Sequence, residues 1–155
     1  SAGEVLVDGT NLNKLSLKWW KKQVSYIPQN PNILNSSIMD NILLGNDKLN
    51  EQEASRLLQT VGLDQKLKTT SLTILDPIED NLSKGVKKKI HYARALAQNS
   101  KIFIIDDPFG YLDNQGVEIA QKLIESLKRA NKTIILFSDN NILSNVIDEN
   151  ITIGN

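Results

Sequence analysis

Cysteine is absent from the 155 residues, which removes disulfide frameworks, thiolate nucleophiles and cysteine zinc sites together and suits a reducing compartment. Histidine occurs once, at His91. With no second imidazole and no thiol to share a metal, it reads as a packed or half-exposed structural residue. Net charge is missing too: 18 Lys and Arg balance 18 Asp and Glu, so no overall positive field draws the chain to nucleic acid or anionic membrane. Neutrality leaves a local patch open. The longest apolar stretches, 102–105 and 134–137, fall far below the roughly 20 residues of a membrane-spanning helix. Ser1-Ala2-Gly3-Glu4 has neither a basic region nor an apolar run and does not read as a signal peptide. Aromatic residues make up only 5%. Trp19 and Trp20 are adjacent and would point about 100° apart on a helix, which predicts one core ring and one at the surface or an interface, not a base-stacking platform.

What is present suffices for one compact domain, with 40% hydrophobic residues to fill a core. From Ser16 onward, segments of helical period alternate with short β-branched runs, the pattern of an α/β fold with a parallel or mixed sheet. Residues 4–7 read as a strand closed by the turn-forming pair Asp8-Gly9, and residues 24–27 as a strand running into Pro28. Asn50 and Glu53 form a capping-box pattern before Ala54, Leu57, Leu58 and Val61, which share one helical face. Residues 69–83 show no period and read as an irregular linker. Ile90, Ala93 and Ala97 then line a helix, with Leu96 beside them. Residues 101–105 form an apolar strand whose continuity predicts burial on both faces, and it ends in Asp106-Asp107-Pro108. A helix starting at Asn114 carries Val117, Ala120, Leu123, Ile124 and Leu127, with Lys128-Arg129 near its negative pole. Residues 133–137 form another strand, and 151–153 a candidate third. No internal repeat is visible.

Two carboxylates at the C-terminal end of a buried strand admit two readings. Asp106 could hold magnesium through water while Asp107 orients or deprotonates a water, or both could simply solvate a turn. The neighbouring motifs bear on the choice. Leu82-Ser83-Lys84-Gly85-Val86, followed by Lys87-Lys88-Lys89 and then Ala93-Arg94-Ala95-Leu96, resembles the signature motif of ABC transporters, which reads LSGGQ, a basic triplet and ARAL. Alone, the lysine triplet would read as a solvated helix start. Val24-Ser25-Tyr26-Ile27-Pro28-Gln29 is similar to the Q-loop, and Asn35-Ser36-Ser37-Ile38-Met39-Asp40-Asn41-Ile42 to the exporter form of the next segment. Phe103-Ile104-Ile105-Asp106-Asp107-Pro108 corresponds to the Walker B strand, Tyr111-Leu112-Asp113 to the D-loop, and Thr133 to Asp139 to the strand leading to the switch histidine.

The resemblance covers essentially the whole chain and implies a partial P-loop NTPase fold of the ABC type: a mostly parallel sheet with helices and a helical signature subdomain. It would comprise core strands and Q-loop in 1–34, the helical subdomain in 35–98, and Walker B, D-loop and switch in 99–155. ATP and Mg2+ are the implied cofactors, with magnesium at Gln29 and Asp106. Nucleotide contacts are implied for Gln29, Ser83, Lys84, Gly85, Asp106 and Asp113. Asp107 and Asp139 hold the catalytic positions in degenerate form. The logic of the signature is that a serine hydroxyl, glycine amides and a helix N-terminus make a site for the terminal phosphate.

The pattern also fails in places. No glycine is followed by lysine anywhere, so the Walker A loop that surrounds the phosphates in the family is not in this sequence. In the family it lies upstream of the strand at 4–7, so the expectation is a fragment or a gene that lost its start, with no tight ATP binding by this chain alone. Asp107 stands where the family has glutamate, Asp139 where it has histidine, Lys84 at the first signature glycine and Val86 at the glutamine. Asp76-Pro77-Ile78-Glu79-Asp80 lacks the Gly-Glu arrangement common before the signature in exporters.

The resemblance therefore implies the nucleotide-binding domain portion of an exporter that couples ATP binding and hydrolysis to export, inactive alone or the degenerate half of an asymmetric pair. Its expected partners are a transmembrane domain and a second nucleotide-binding domain, homo- or heterodimeric and head-to-tail, at the cytoplasmic face of the cell membrane, with no nucleic acid. The alternative is a non-enzymatic ABC-like interaction or regulatory module. A DNA-repair ATPase of the broader group fits less well, given the exporter-like segment after Gln29 and the neutral charge. Without the Walker A strand and helix, sheet edge and core surface would be exposed and would favour self-association.

Overall fold

The computed structural model describes residues 3–63, 82–139 and 142–152. Most of the linker read at 69–83, and the atypical segment 76–80, lie outside them. Near the start, β1 (Leu6–Val7) pairs antiparallel with β2 (Thr10–Asn11). Asp8 (φ 47°) and Gly9 (φ 76°) supply the two positive φ angles that a two-residue hairpin turn demands. This hairpin is separate from the main sheet, so the strand read at 4–7 is shorter than expected and serves only its own turn.

Helix α1 (Leu17–Gln23), capped by the Ser16 hydroxyl, leads directly into β3 (Val24–Ile27). Neither tryptophan joins the core. Trp19 is exposed and Trp20 half-buried, because α1 lies at the margin and buries none of its residues. Strand β3 then runs parallel to β4 (Ile102–Asp106), which runs parallel to β5 (Thr133–Phe137), giving the order β3-β4-β5. The expected parallel sheet with helical connections is therefore present. Ile151 and Thr152 are not in a strand.

Between β3 and β4 the chain forms α2 (Ile38–Leu43), α3 (Glu51–Thr60) and α4 (Lys84–Gln98). Ser37 with Asp40, and Asn50 with Glu53, close reciprocal capping boxes at α2 and α3, each satisfying two otherwise orphaned amides. Ala54, Leu58 and Val61 are buried as the helical period requires. Asn41, wholly buried, exchanges hydrogen bonds with the Leu34 backbone and accepts from Arg94 Nη2 at 2.8 Å. That network ties α2 to α4. Helix α5 (Asn114–Arg129) connects β4 to β5 and buries Ala120, Leu123, Ile124 and Leu127.

The two faces of the sheet differ. Ser25, Ile27, Phe103 and Ile105 point into the core and are buried, whereas Tyr26, Ile135 and Phe137 on the opposite face are 56%, 44% and 49% exposed. Ile102 and Ile104 are only half-buried, so the burial of β4 on both faces predicted from its apolar run is not met. No described element covers that second face. We expect the purified chain to self-associate and to bind a hydrophobic dye. The double variant Ile135→Thr, Phe137→Thr should reduce both by sedimentation and dye fluorescence, and a monodisperse wild-type monomer without dye binding would refute the expectation.

Candidate nucleotide site

Helix α4 carries three polar groups at helical repeat along one side, Lys84, Lys88 and Tyr92, spaced as i, i+4 and i+8. Each donates toward the loops that follow β3 and β4. Lys84 Nζ donates to the Tyr111 hydroxyl at 3.3 Å and lies 4.5 Å from the ring centroid, an arrangement in which the ring face attracts the cation. The Tyr111 hydroxyl in turn donates to Asn30 Oδ1 at 2.9 Å. Lys88 Nζ donates to the carbonyls of Pro28 at 2.8 Å and Asp106 at 2.9 Å. The Tyr92 hydroxyl, buried, donates to the Pro108 carbonyl at 2.9 Å.

These bonds gather most of the residues read from the sequence at the C-terminal edge of the sheet, where ligands of open α/β sheets sit. Gln29 follows β3 and is exposed, and Asp106 ends β4 partly exposed, with Oδ2 accepting from Tyr26 at 3.5 Å. Asp139 follows β5 and is exposed. Ser83 caps α4, its hydroxyl accepting from Val86 N at 3.3 Å. Gly85 packs where a Cβ would come within 2.6 Å of the Tyr111 carbonyl. Tyr111 itself has φ 66°, a costly backbone for a bulky residue that its two hydroxyl contacts help hold.

Two aspartates have further duties. Asp107, at φ 48°, sends its amide to the Phe137 carbonyl and accepts from Gly110 N at Oδ1, 3.1 Å. Its carboxylate thus folds back onto its own turn. Asp113 caps α5 by accepting from Gly116 N at 2.8 Å and lies 4.0 Å from Lys89 Nζ. Magnesium takes oxygen ligands, keeps several waters and often uses only one or two protein groups beside phosphate. The carboxamide of Gln29 and the carboxylate of Asp106, at the ends of adjacent strands, fit that donor set. Among the described residues no group of three acidic, histidine or cysteine side chains could hold a metal on its own.

The lysine triplet departs from the reading of a solvated helix start, since Lys88 is wholly buried and Lys89 nearly so. Desolvating an amine costs on the order of several kcal/mol. It lowers the Lys88 pKa to about 8, against the pull of Asp107 and Asp106. His91 is packed as expected: it is buried, with Nε2 2.7 Å from the Asn32 carbonyl, and burial lowers its pKa. Lys88, Tyr92, Asn30 and Tyr111 were not singled out individually from the sequence. The i, i+4 spacing of 84, 88 and 92 was the available signal, but what those side chains meet comes from distant segments.

The profile of the ABC transporter family matches residues 1–110. Among curated relatives, the chain is 29% identical over 138 residues to ABC transporter B family member 14 of Arabidopsis thaliana, covering 87% of this chain and 11% of that protein. It is 32% identical over 138 residues to the ATP-dependent lipid A-core flippase of Blochmanniella floridana, covering 86% and 24%. It is 27% identical over 137 residues to the probable multidrug resistance ABC transporter ATP-binding/permease protein YheH of Bacillus subtilis, covering 86% and 20%. The fold matches a bacterial Atm1-family ABC exporter with ATP bound at TM-score 0.80 and 22% identity, over 95% of this chain and 26% of that one. The class is an α/β nucleotide-binding domain. The chain belongs to the ABC transporter family and forms the nucleotide-binding region found in its exporters, spanning from 11% to 26% of the length of these relatives. No helix among the described residues is long and apolar enough to cross a membrane.

Two consequences are measurable. Lysine in the unfolded chain titrates near 10.5, so between about pH 8 and 9.5 the unfolded state binds more protons and stability rises with pH. Above that window tyrosine ionisation intervenes, because the buried Tyr92 hydroxyl is raised and gives the opposite slope. Urea midpoints should increase across the window, and the increase should vanish in Lys88→Met. Separately, Gly85→Ala should destabilise by about 1–3 kcal/mol in chemical denaturation, since the added methyl meets backbone rather than a movable side chain.

Proposed function

We propose that this chain supplies the signature side of a shared ATP site in an exporter, in a nucleotide-binding region that couples ATP binding and hydrolysis to export. One observation carries the reading: Ser83, Lys84 and Gly85 sit at the N-terminus of the 15-residue α4, whose side chains are anchored to the loops after β3 and β4. The Ser83 hydroxyl, the first amides of α4 and the positive end of its dipole would face the terminal phosphate of nucleotide held mainly by a second, head-to-tail domain. Gln29 and Asp106 would hold magnesium, which neutralises phosphate charge when bound. Asp113 would stand at the domain contact, and a transmembrane domain would receive the coupled motion at the cytoplasmic face of the membrane.

The same residues make this copy a poor hydrolase. Asp107 is one methylene shorter than glutamate and spends an oxygen on Gly110 N, which withdraws a general base where geometry is strict. Asp139 puts an anion where a donor to phosphate serves the family, and like charges repel. The chain is accordingly the degenerate half of an asymmetric pair, or inactive alone. A second reading, a non-enzymatic interaction module, is favoured by the structural duties that Asp107 and Asp113 perform for their own loops.

Calorimetry of this chain with Mg-ATP from micromolar to millimolar should give no saturable heat. Saturable binding that disappears in Asp106→Ala would show a site of its own and refute the asymmetric reading. In the full-length transporter Ser83→Ala should lower ATPase activity at least about tenfold, as loss of a phosphate-facing donor does, while costing only about 1 kcal/mol of stability as a lost cap. Unchanged turnover would favour the interaction module.

A further inference from the structure

Of Lys87, Lys88 and Lys89, only Lys88 is wholly enclosed, and its amine meets two main-chain carbonyls. Among the described residues no carboxylate lies within ion-pair distance of it. A lysine buried for packing alone would be better served by a carboxylate partner or an apolar side chain. The two carbonyls belong to Pro28, one residue before Gln29, and to Asp106 itself. Strands β3 and β4 pair only as far as Ile27 and Ile105. The ladder between them therefore stops one residue short of both carbonyls, and Lys88 spans the gap where it ends. The next donor along α4, the Tyr92 hydroxyl, reaches Pro108 and leaves the loop after β3 untouched. Lys88 is the side chain of α4 that holds Pro28 and Asp106 together.

We propose that Lys88 is a positioning residue that fixes the spacing of Gln29 and Asp106. The proposal rests on the reading of those two residues as magnesium ligands. Lys88 touches neither the metal nor nucleotide. It acts through the backbone, as the partners that orient metal ligands do elsewhere. Its loss would leave both groups in place chemically but no longer held at one separation.

The test uses this chain, isotopically labelled, with Mn2+ alone as a paramagnetic probe of backbone amides. In the wild type, Gln29, Asp106 and Asp107 should broaden together at one Mn2+ concentration. Lys88→Met should raise that concentration about tenfold and uncouple the two loops, and Lys88→Gln, whose carboxamide also carries two donor hydrogens, should recover part of the effect. An unchanged Mn2+ response in folded Lys88→Met overturns the positioning role. Absence of broadening at either loop in the wild type overturns the magnesium reading beneath it, a different failure. If Lys88→Met does not fold, Lys88→Gln against the control Lys87→Gln decides: equal Mn2+ responses overturn the proposal, and a weaker response confined to Lys88→Gln supports it.

Discussion

Strands that end at a ligand-binding edge leave carbonyls beyond their last ladder bonds, and a buried carbonyl without a donor is costly. Around the loops after β3 and β4 the side-chain donors to these carbonyls come from one helix. Lys88 supplies Pro28 and Asp106, Tyr92 supplies Pro108, and Gln98 supplies Lys21 and Val24 from the other end of α4. The positions of the loops after β3 and β4, and hence of Gln29 and Asp106, depend on that helix staying docked. The apolar side of α4 guarantees docking, since Ile90, Ala93 and Ala97 are buried against the same core as Ile27, Phe103 and Ile105.

This arrangement joins stability to the site. The segment that resembles a phosphate-facing motif is also the N-terminus of the main structural post, so Ser83 is at once a cap and a candidate ligand. Tyr111 extends the coupling sideways, bridging Lys84 and Asn30 from a strained backbone pressed against Gly85. Tyr111 thereby links the start of α4 to the loop that holds Asn30. The aspartates illustrate the reverse relation: Asp107, by resemblance at a catalytic position, and Asp113, by resemblance at a nucleotide contact, each secure an amide of their own loop. Such groups can be retained for folding after their chemistry has weakened.

The core was legible because it repeats. The faces of α3, α4 and α5, the capping box at Asn50, the Asp8-Gly9 turn and the strands at 24–27 and 133–137 all follow from period and local hydrogen-bonding preferences that neighbouring residues decide. Motif order placed Gln29, Asp106, Asp107 and Asp139 at one sheet edge, and parallel pairing brings those strand ends together. Helical period says that the Trp19 and Trp20 rings diverge but not whether the helix has a neighbour, and neither reaches the core. The run at 102–105 is suited to burial on both faces, and only packing decides that one face lacks a cover.

By itself the sequence determined the α/β class, the strands at 24–27 and 133–137, the capping box at Asn50 and the family, because each rests on short-range pattern or on motifs in fixed order. Tertiary structure alone decided that the middle lysine of a basic triplet is buried. Nothing near Lys88 in the chain announces carbonyls from residues 28 and 106, which are 60 and 18 positions away. A lysine's place is set by what the fold brings to its amine, and that is a property of the assembled helix and sheet.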